Sequence, residues 1–193
     1  MNFSRRGFGR SVLAALGASG LLGARGRVYA LAGATENAGA VAEGYRFFNL
    51  GQIQTLEAIC DQIVPPDDYP GAKDAGAVQY IDRALSGWLV RNRWDYVAGL
   101  QGVDESSELM FGAPFTNLSW DQQTKVLEAM ELGEAPGRSW QKLQIGQPGA
   151  KSSQSFFNLL VTHTMQGYYG DPSYGGNRHQ GSWKMLGFLQ DAG

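Results

Sequence analysis

Residues 49–66 read NLGQIQTLEAICDQIVPP, and this stretch decides the fold class. Asn49 and Gln52, three positions apart, form the pattern of a capped helix start. Apolar residues then recur at spacings of three and four, at Ile53, Leu56, Ile59, Cys60 and Ile63. This is the period of one helix face, and the pattern ends at Pro65 and Pro66 because proline cannot continue a helix. The stretch therefore predicts an amphipathic helix that buries one side.

The same helical period recurs along the rest of the chain. We expect a second helix from about Ala72, with Trp88 on its apolar face, and a third after the break at residues 91–93. Two more are expected, one from Ser119, which forms a capping box with Gln122, to about Leu132, and one from about Ser153 to Gly167. Residues 102–118 and 133–148 predict loops, the second with a short turn at residues 139–143. No segment shows the sustained alternation of a strand. The sequence predicts one compact, all-α or nearly all-α domain over residues 45–193.

Composition limits the class of function. The chain has 193 residues, 43% of them apolar and 18% charged, with a formal charge of −2 and a single cysteine. This composition argues against a mostly disordered chain and against a protein that relies on neutralising phosphates, so we expect no nucleic-acid partner. One cysteine, Cys60, also excludes an internal disulfide framework.

The first thirty residues have the pattern of an export signal. Ser4, Arg5, Arg6 and Phe8 place two adjacent arginines before an aromatic residue, and residues 11–23 are uncharged and rich in Ala, Leu and Gly. We interpret residues 1–30 as a twin-arginine signal peptide that engages the twin-arginine translocation machinery. Its apolar part is shorter than the ~20 residues that span a bilayer, which favours a cleaved signal over an anchor. The alternative is an amphipathic or disordered N-terminus with chance arginines.

Removal of the predicted signal changes the charge of the protein. Residues 31–44 are small and without period, and we expect them to form a flexible lead-in to the domain. Because residues 1–30 hold five arginines and no acid, the rest of the chain carries 11 basic and 18 acidic groups, a charge of −7. The exported protein is therefore expected to be acidic, which makes nucleic acid and anionic membranes poorer partners still.

The sequence lacks the motifs that hold common cofactors. It has no dinucleotide fingerprint after a strand, no cysteine pattern for haem or iron and sulfur, and no nucleophile elbow. We therefore expect no catalytic, cofactor or metal site in this chain. His163 lies between apolar turns and is interpreted as a packed histidine rather than a general base, and His179 is too distant to form a zinc pair with it. Glu57 and Asp61 are interpreted as a solvated surface pair rather than metal ligands.

A glycine- and tyrosine-rich stretch from Gly167 to Trp183 is too specific to be a linker. Its glycines permit positive φ angles and close approach, and its aromatic side chains offer broad contact area with polar tips. We predict a long ordered loop that either packs on its own domain or forms an aromatic contact surface for another protein or for a sugar. The predicted contact residues are Tyr168, Tyr169, Asp171, Pro172, Tyr174, Gly175, Gly176, Asn177 and Trp183.

Several of these segments resemble the small subunit, subunit 3, of gluconate 2-dehydrogenase-type, flavin-dependent sugar dehydrogenases. The similarity covers residues 47–48, 56–59, 61–65, 70–72, 75–78, 81–82, 156–157, 162–164 and 167–169. Its most specific part is Asp171-Pro172, then Tyr174-Gly175-Gly176-Asn177, and WKMLGF at residues 183–188. Gln166 and Ser182 depart from the family pattern, in which an acid and a glycine are expected at these places.

The resemblance implies a non-catalytic subunit. In such complexes a large flavoprotein of the glucose-methanol-choline type oxidises the sugar or sugar acid with its FAD, and a multihaem cytochrome c carries the electrons to the membrane. The small subunit is expected to escort the folded flavoprotein to the periplasm and to stabilise it there. Its own association with the cytoplasmic membrane is expected only through the complex.

Two other functions remain open at this point. One is a periplasmic sugar-binding module that uses Tyr168, Tyr169, Tyr174 and Trp183 as a stacking platform. The other is a self-sufficient enzyme centred on His163 together with the Glu57 and Asp61 pair.

Overall fold

A computed structural model of the protein describes residues 40–143 and 152–188, and within these ranges the chain is helical with no strand. In this described part, six α-helices follow one another: α1 (Leu50–Ile63), α2 (Ala77–Leu85), α3 (Arg93–Phe111), α4 (Trp120–Glu131), α5 (Ser152–Tyr169) and α6 (Gly181–Met185). Short 3-10 helices lie between them at Val90–Asn92, Phe115–Asn117, Ser139–Lys142, Pro172–Tyr174 and Arg178–Gln180. The all-α prediction is confirmed.

Both predicted capping boxes are present. At the start of α1, Asn49 Oδ1 accepts from the Gln52 N–H at 2.9 Å and Gln52 Oε1 accepts from the Asn49 N–H at 3.1 Å. Ser119 and Gln122 make the same reciprocal pair at the start of α4. Each box satisfies two backbone donors that the first helical turn cannot. These two helices begin where the sequence predicts.

The second helix begins five residues later than predicted. The Ala77 N–H donates to the Ala72 carbonyl at 2.9 Å, which closes a turn over the residues where we expected helix. Gly76 takes a left-handed conformation at φ 82°, which interrupts helical geometry directly before Ala77. The helix also ends at Leu85, so Trp88 leaves its apolar face and is 56% exposed.

The third and fifth helices are longer than predicted. α3 continues through residues 102–111, where we expected a loop, because Gly102 lies directly against the Trp140 ring and this packing outweighs the low helix propensity of glycine. It ends at Gly112, which has φ 76°. α5 passes Gly167 and includes Tyr168 and Tyr169, because Gly167 packs against α2.

The core forms where α5 packs against α1, α2, α3 and α4. Large apolar side chains from all five helices and from the segment before α1 lie at 0% exposure in this core. They include Phe48, Leu56, Ile81, Tyr96, Met130, Phe156 and Leu160. Burying such side chains is the main favourable term in folding. Because α5 is central, its apolar side chains are buried against four other helices.

Asp82 holds the segment before α1 against α2. Its carboxylate accepts from three consecutive backbone N–H groups, those of Arg46 at 2.7 Å, Phe47 at 2.9 Å and Phe48 at 3.1 Å. Asp82 is only 2% exposed, so these bonds also satisfy its own oxygens. The Ala42 N–H donates in turn to the Phe48 carbonyl at 2.9 Å, so ordered contacts of the domain already begin at Ala42.

Candidate functional site

The predicted functional residues fall into two groups. Ser4, Arg5, Arg6 and Phe8, together with the predicted signal at residues 1–30, lie outside the described residues, as do residues 31–39 of the predicted lead-in. The predicted contact residues between 168 and 183 are all described, and the structure places them one by one.

The glycine- and tyrosine-rich segment is a chain of short helical turns rather than an open loop. Its first three residues belong to α5, and the rest follows as the 3-10 turn Pro172–Tyr174, the 3-10 turn Arg178–Gln180 and α6. Asp171 Oδ1 caps the first turn by accepting from the Ser173 N–H at 2.8 Å. Of the two readings that the sequence left open, packing on its own domain describes most of this segment.

Asn177 is the centre of that packing. It is 0% exposed and adopts φ 43°, a left-handed conformation that asparagine tolerates better than most residues. Its Nδ2 donates to the Gly170 carbonyl at 2.9 Å, and its Oδ1 accepts from the Ser182 N–H at 3.2 Å and the Ser182 hydroxyl at 2.8 Å. One side chain thus ties the end of α5 to the start of α6.

Backbone bonds join the same segment to α5 and to the turn before α2. The Asn177 N–H donates to the Gly167 carbonyl at 2.8 Å, and the Arg178 N–H donates to the Ala75 carbonyl at 2.9 Å. Gly176 lies so close to the Gly167 carbonyl that a Cβ atom would overlap it. The glycines in this segment are therefore required for close approach between backbones.

The aromatic side chains of the segment point to different surroundings. Tyr168 is 3% exposed and donates to the Pro70 carbonyl at 3.1 Å, and the half-buried Trp183 donates to the Tyr169 carbonyl at 2.9 Å. Tyr174 is 52% exposed. The four rings proposed as a sugar platform do not share one open face, because Tyr168 is buried inside the domain whereas Tyr174 is exposed. Tyr168, Gly176 and Asn177 accordingly have internal roles.

Trp88 joins Tyr174 on the surface, and sequence reasoning did not find it. The two ring centroids lie 5.5 Å apart with the planes at 75°, and Tyr80 lies beneath at 6.1 Å from Trp88. Tyr80 donates to Gln166 Oε1 at 3.1 Å; burial raises the pKa of Tyr80, and a hydrogen bond with Trp88 partly offsets that rise. The helical spacing of Trp88 pointed to the core, and only the early end of α2 places it outside.

His163 is a packed histidine, as the sequence predicts. It is 4% exposed, its Nδ1 lies 3.0 Å from the Tyr96 hydroxyl, and the two rings stack. Burial lowers the pKa of His163, because a charged imidazole would lose its hydration there. Next to it in the core, Cys60 Sγ lies 3.4 Å from Thr164 Oγ1, and burial raises the pKa of Cys60 to about 12.

Glu57 and Asp61 bind the turn that follows α1. Lys73 Nζ lies 3.1 Å from Glu57 Oε2, and the Lys73 N–H donates to Asp61 Oδ1 at 3.0 Å. Burial raises the pKa of Asp61, and the bonds from Lys73 partly offset the rise. The pair is thus engaged with Lys73 rather than simply solvated. Within residues 40–143 and 152–188, no three His, Cys, Asp or Glu side chains are grouped so that they could hold a metal ion.

His179 lines a shallow cleft of about 590 Å³. One wall of the cleft is the turn at residues 66–70, and the other is formed by Arg178, His179, Gly181 and Lys184. His179 and the following Gln180 both have positive φ, at 56° and 57°. His179 and His163 thus lie in separate settings, one exposed and one buried.

Comparison with known protein families decides the identity of this domain. Residues 51–190 match the family gluconate 2-dehydrogenase subunit 3. The chain belongs to this family. No curated protein and no solved structure matches it.

The stretches that carry the resemblance to the subunit 3 family are separate in the sequence but contact one another in the structure. Pro70 accepts from Tyr168, and Ala75 accepts from Arg178, so the stretch after α1 contacts the stretch around Asn177. The two departures from the family pattern have partners as well: Gln166 accepts from Tyr80, and Ser182 donates to Asn177. Among the helices described, none is both long and apolar enough to cross a bilayer.

Proposed function

We propose that this chain is the non-catalytic small subunit of a periplasmic, FAD-dependent sugar or sugar-acid dehydrogenase complex. The observation that carries the proposal is the match to gluconate 2-dehydrogenase subunit 3 across residues 51–190. In the proposed complex the FAD belongs to a large flavoprotein of the glucose-methanol-choline type, and haem c belongs to a multihaem cytochrome. The complex attaches the chain to the cytoplasmic membrane.

Three side chains that could take part in chemistry, His163, Cys60 and Glu57, have structural roles instead. His163 is buried against Tyr96, and Cys60 is buried against Thr164 with its pKa raised far above the range in which a thiol becomes a nucleophile. Glu57 pairs with Lys73. These engagements support an accessory role rather than catalysis by this chain.

The second part of the proposal is export. The twin-arginine pathway carries folded proteins, and a flavoprotein must fold around its FAD before it is exported. We expect Arg5 and Arg6 to direct the flavoprotein to this pathway while it is bound to the small subunit. The chain then acts as an escort during export and maturation.

Conservative substitution of the two arginines tests the escort role. In cells that carry Arg5→Lys with Arg6→Lys, the flavoprotein should accumulate in the cytoplasm, and dehydrogenase activity on the periplasmic side of the cytoplasmic membrane should fall. The matched control is Arg25→Lys with Arg27→Lys, two arginines of the same segment outside the predicted motif. Normal export of the flavoprotein in the Arg5 and Arg6 variant would show that this chain does not direct it.

The non-catalytic part of the proposal has its own test. The purified chain should hold no flavin and should not reduce an artificial electron acceptor with gluconate, glucose or fructose. Calorimetry of the same sample with these three sugars should show no binding heat. Turnover would support the self-sufficient enzyme instead, and saturable sugar binding would support the sugar-binding module.

A further inference from the structure

The stretch between α2 and α3 differs in charge from the rest of the domain. Beyond residue 30 the chain carries 18 acidic and 11 basic groups, yet residues 83–93 contain three arginines and no acid. Arg93 is used internally: its Nε donates to the Leu85 carbonyl at 2.7 Å and its guanidinium lies over the Phe47 ring. Arg83 and Arg91 are exposed. A chain that is acidic beyond residue 30 thus has a basic area at residues 83–93.

The same area carries exposed aromatic and aliphatic side chains. Trp88 is 56% exposed, Tyr174 is 52% exposed, and Val90 is 50% exposed. Trp88 and Tyr174 touch edge to face, and Tyr80 supports Trp88 from below. Tyr80 is itself buried and hydrogen-bonded to Gln166, so it holds the Trp88 and Tyr174 rings in place. The two side chains therefore lose little conformational freedom when a partner covers them.

Arg83 borders the aromatic pair. A Cβ atom on Gly175 would lie 2.8 Å from Arg83 Cδ, so the arginine side chain runs along the backbone next to Tyr174. Among residues 40–143 and 152–188, no carboxylate lies within 4.0 Å of Arg83 or Arg91. Both arginines are exposed, so a partner that covers this area would meet their charge.

We propose that these residues form the surface that docks the catalytic subunit of the complex, and we call it the basic aromatic face. It consists of Arg83, Trp88, Val90, Arg91 and Tyr174. The proposal rests on the proposed function, which supplies the partner. Trp, Tyr and Arg are the residue types that dominate binding energy at protein interfaces. The matching surface is an apolar recess bordered by carboxylates, because Arg83 and Arg91 need acidic partners when water is excluded.

Other occupants fit this face less well. A second copy related by a twofold axis would bring the same arginines against each other, and like charges in one interface repel. A sugar stacks on a flat ring face, whereas Trp88 and Tyr174 meet with their planes at 75°. A partner protein with an acidic rim satisfies both the rings and the charges.

The test measures binding between purified subunits. The flavoprotein is the FAD-containing protein that mass spectrometry identifies in purifications of the tagged wild-type chain from its native host. We expect Trp88→Ala combined with Tyr174→Ala to weaken its binding by about 30-fold, the scale of a lost interface hot spot. Arg83→Glu should weaken it by about tenfold. The matched control is Trp120→Ala, since Trp120 is also 50% exposed but lies on α4 next to Asp121.

The possible outcomes distinguish an error in the proposed surface from an error in the proposed function. Circular dichroism and thermal melting first establish that each variant is folded, which is expected for half-exposed positions. If the wild-type chain binds the flavoprotein and the two face variants bind it as tightly, the face is wrong and the proposed function stands. If the wild-type chain binds no flavoprotein, both are wrong. If the lone chain is a dimer that the Trp88 and Tyr174 substitutions dissociate, the face joins two copies and the proposal is overturned.

Discussion

Replacement of Asn177 by alanine tests how the segment after α5 is held. The Asn177 side chain is fully buried and makes three hydrogen bonds, to the Gly170 carbonyl and to the N–H and hydroxyl of Ser182. Each buried group left without its partner costs about 1 kcal/mol, and alanine in the left-handed region costs about 1 kcal/mol more. We expect the free energy of unfolding to fall by about 4 kcal/mol, which lowers Tm by roughly 8–16 °C in a domain of this size.

The assay is equilibrium unfolding in urea followed by circular dichroism, with two further variants. Asn177→Gly keeps the left-handed backbone but loses the three bonds, so its loss should be about 3 kcal/mol. Asn158→Ala removes an exposed asparagine on α5 and should change stability by less than about 0.5 kcal/mol. Amide hydrogen exchange reports the local effect, which should appear as faster exchange between residues 170 and 186.

Two results would refute this reasoning. A loss below about 1 kcal/mol for Asn177→Ala would mean that the three bonds contribute little beyond those that water supplies. If amide hydrogen exchange between residues 170 and 186 is unchanged while the free energy of unfolding falls strongly, Asn177 stabilises the core rather than the attachment of the segment after α5.

Three further perturbations follow from buried polar groups. Asp82→Ala leaves three backbone N–H groups without their acceptor and should cost about 3 kcal/mol in the same urea assay, whereas the exposed Asp68→Ala should change little. Because burial lowers the pKa of His163, the unfolded chain takes up a proton at this residue more readily than the folded chain. His163 therefore lowers the free energy of unfolding progressively as pH falls from the unfolded pKa of about 6.5 towards the lower pKa of the folded state, and has no such effect well above 6.5. His163→Gln should therefore flatten the fall in stability below about pH 6.5, and an equal fall in both proteins would contradict this assignment. Since the pKa of Cys60 is about 12, thiol reagents should label it only after unfolding, and rapid labelling of the native protein would contradict its burial.

Structural features that depend only on residues close together in the sequence could be predicted from it. The boxes that start α1 and α4 join residues three positions apart, so their residue types suffice to place both helix starts. The apolar period likewise identifies which side of α1 is buried. The packed state of His163 also follows from its spacing on α5, although its partner Tyr96 is 67 residues away and could not be named.

Features that depend on distant residues do not follow from local patterns. The sequence predicts a loop from residue 102 and a helix end at about Gly167, yet the helices continue through both places, because Trp140 packs against Gly102 and α2 packs against Gly167. The exposure of Trp88 was also predicted wrongly. Its spacing matches the core side of a helix, but α2 ends at Leu85, so Trp88 does not continue that helix face.

The sequence by itself determined the helical class, both capped helix starts and the family, because each depends on residue types at short or fixed spacings. The tertiary structure decided which aromatic side chains remain at the surface. Asn177 and the glycines beside it pull the segment after α5 onto the turn before α2, which buries Tyr168 and leaves Tyr174 beside Trp88. That outcome depends on backbone contacts between residues about a hundred positions apart, and no local pattern records them.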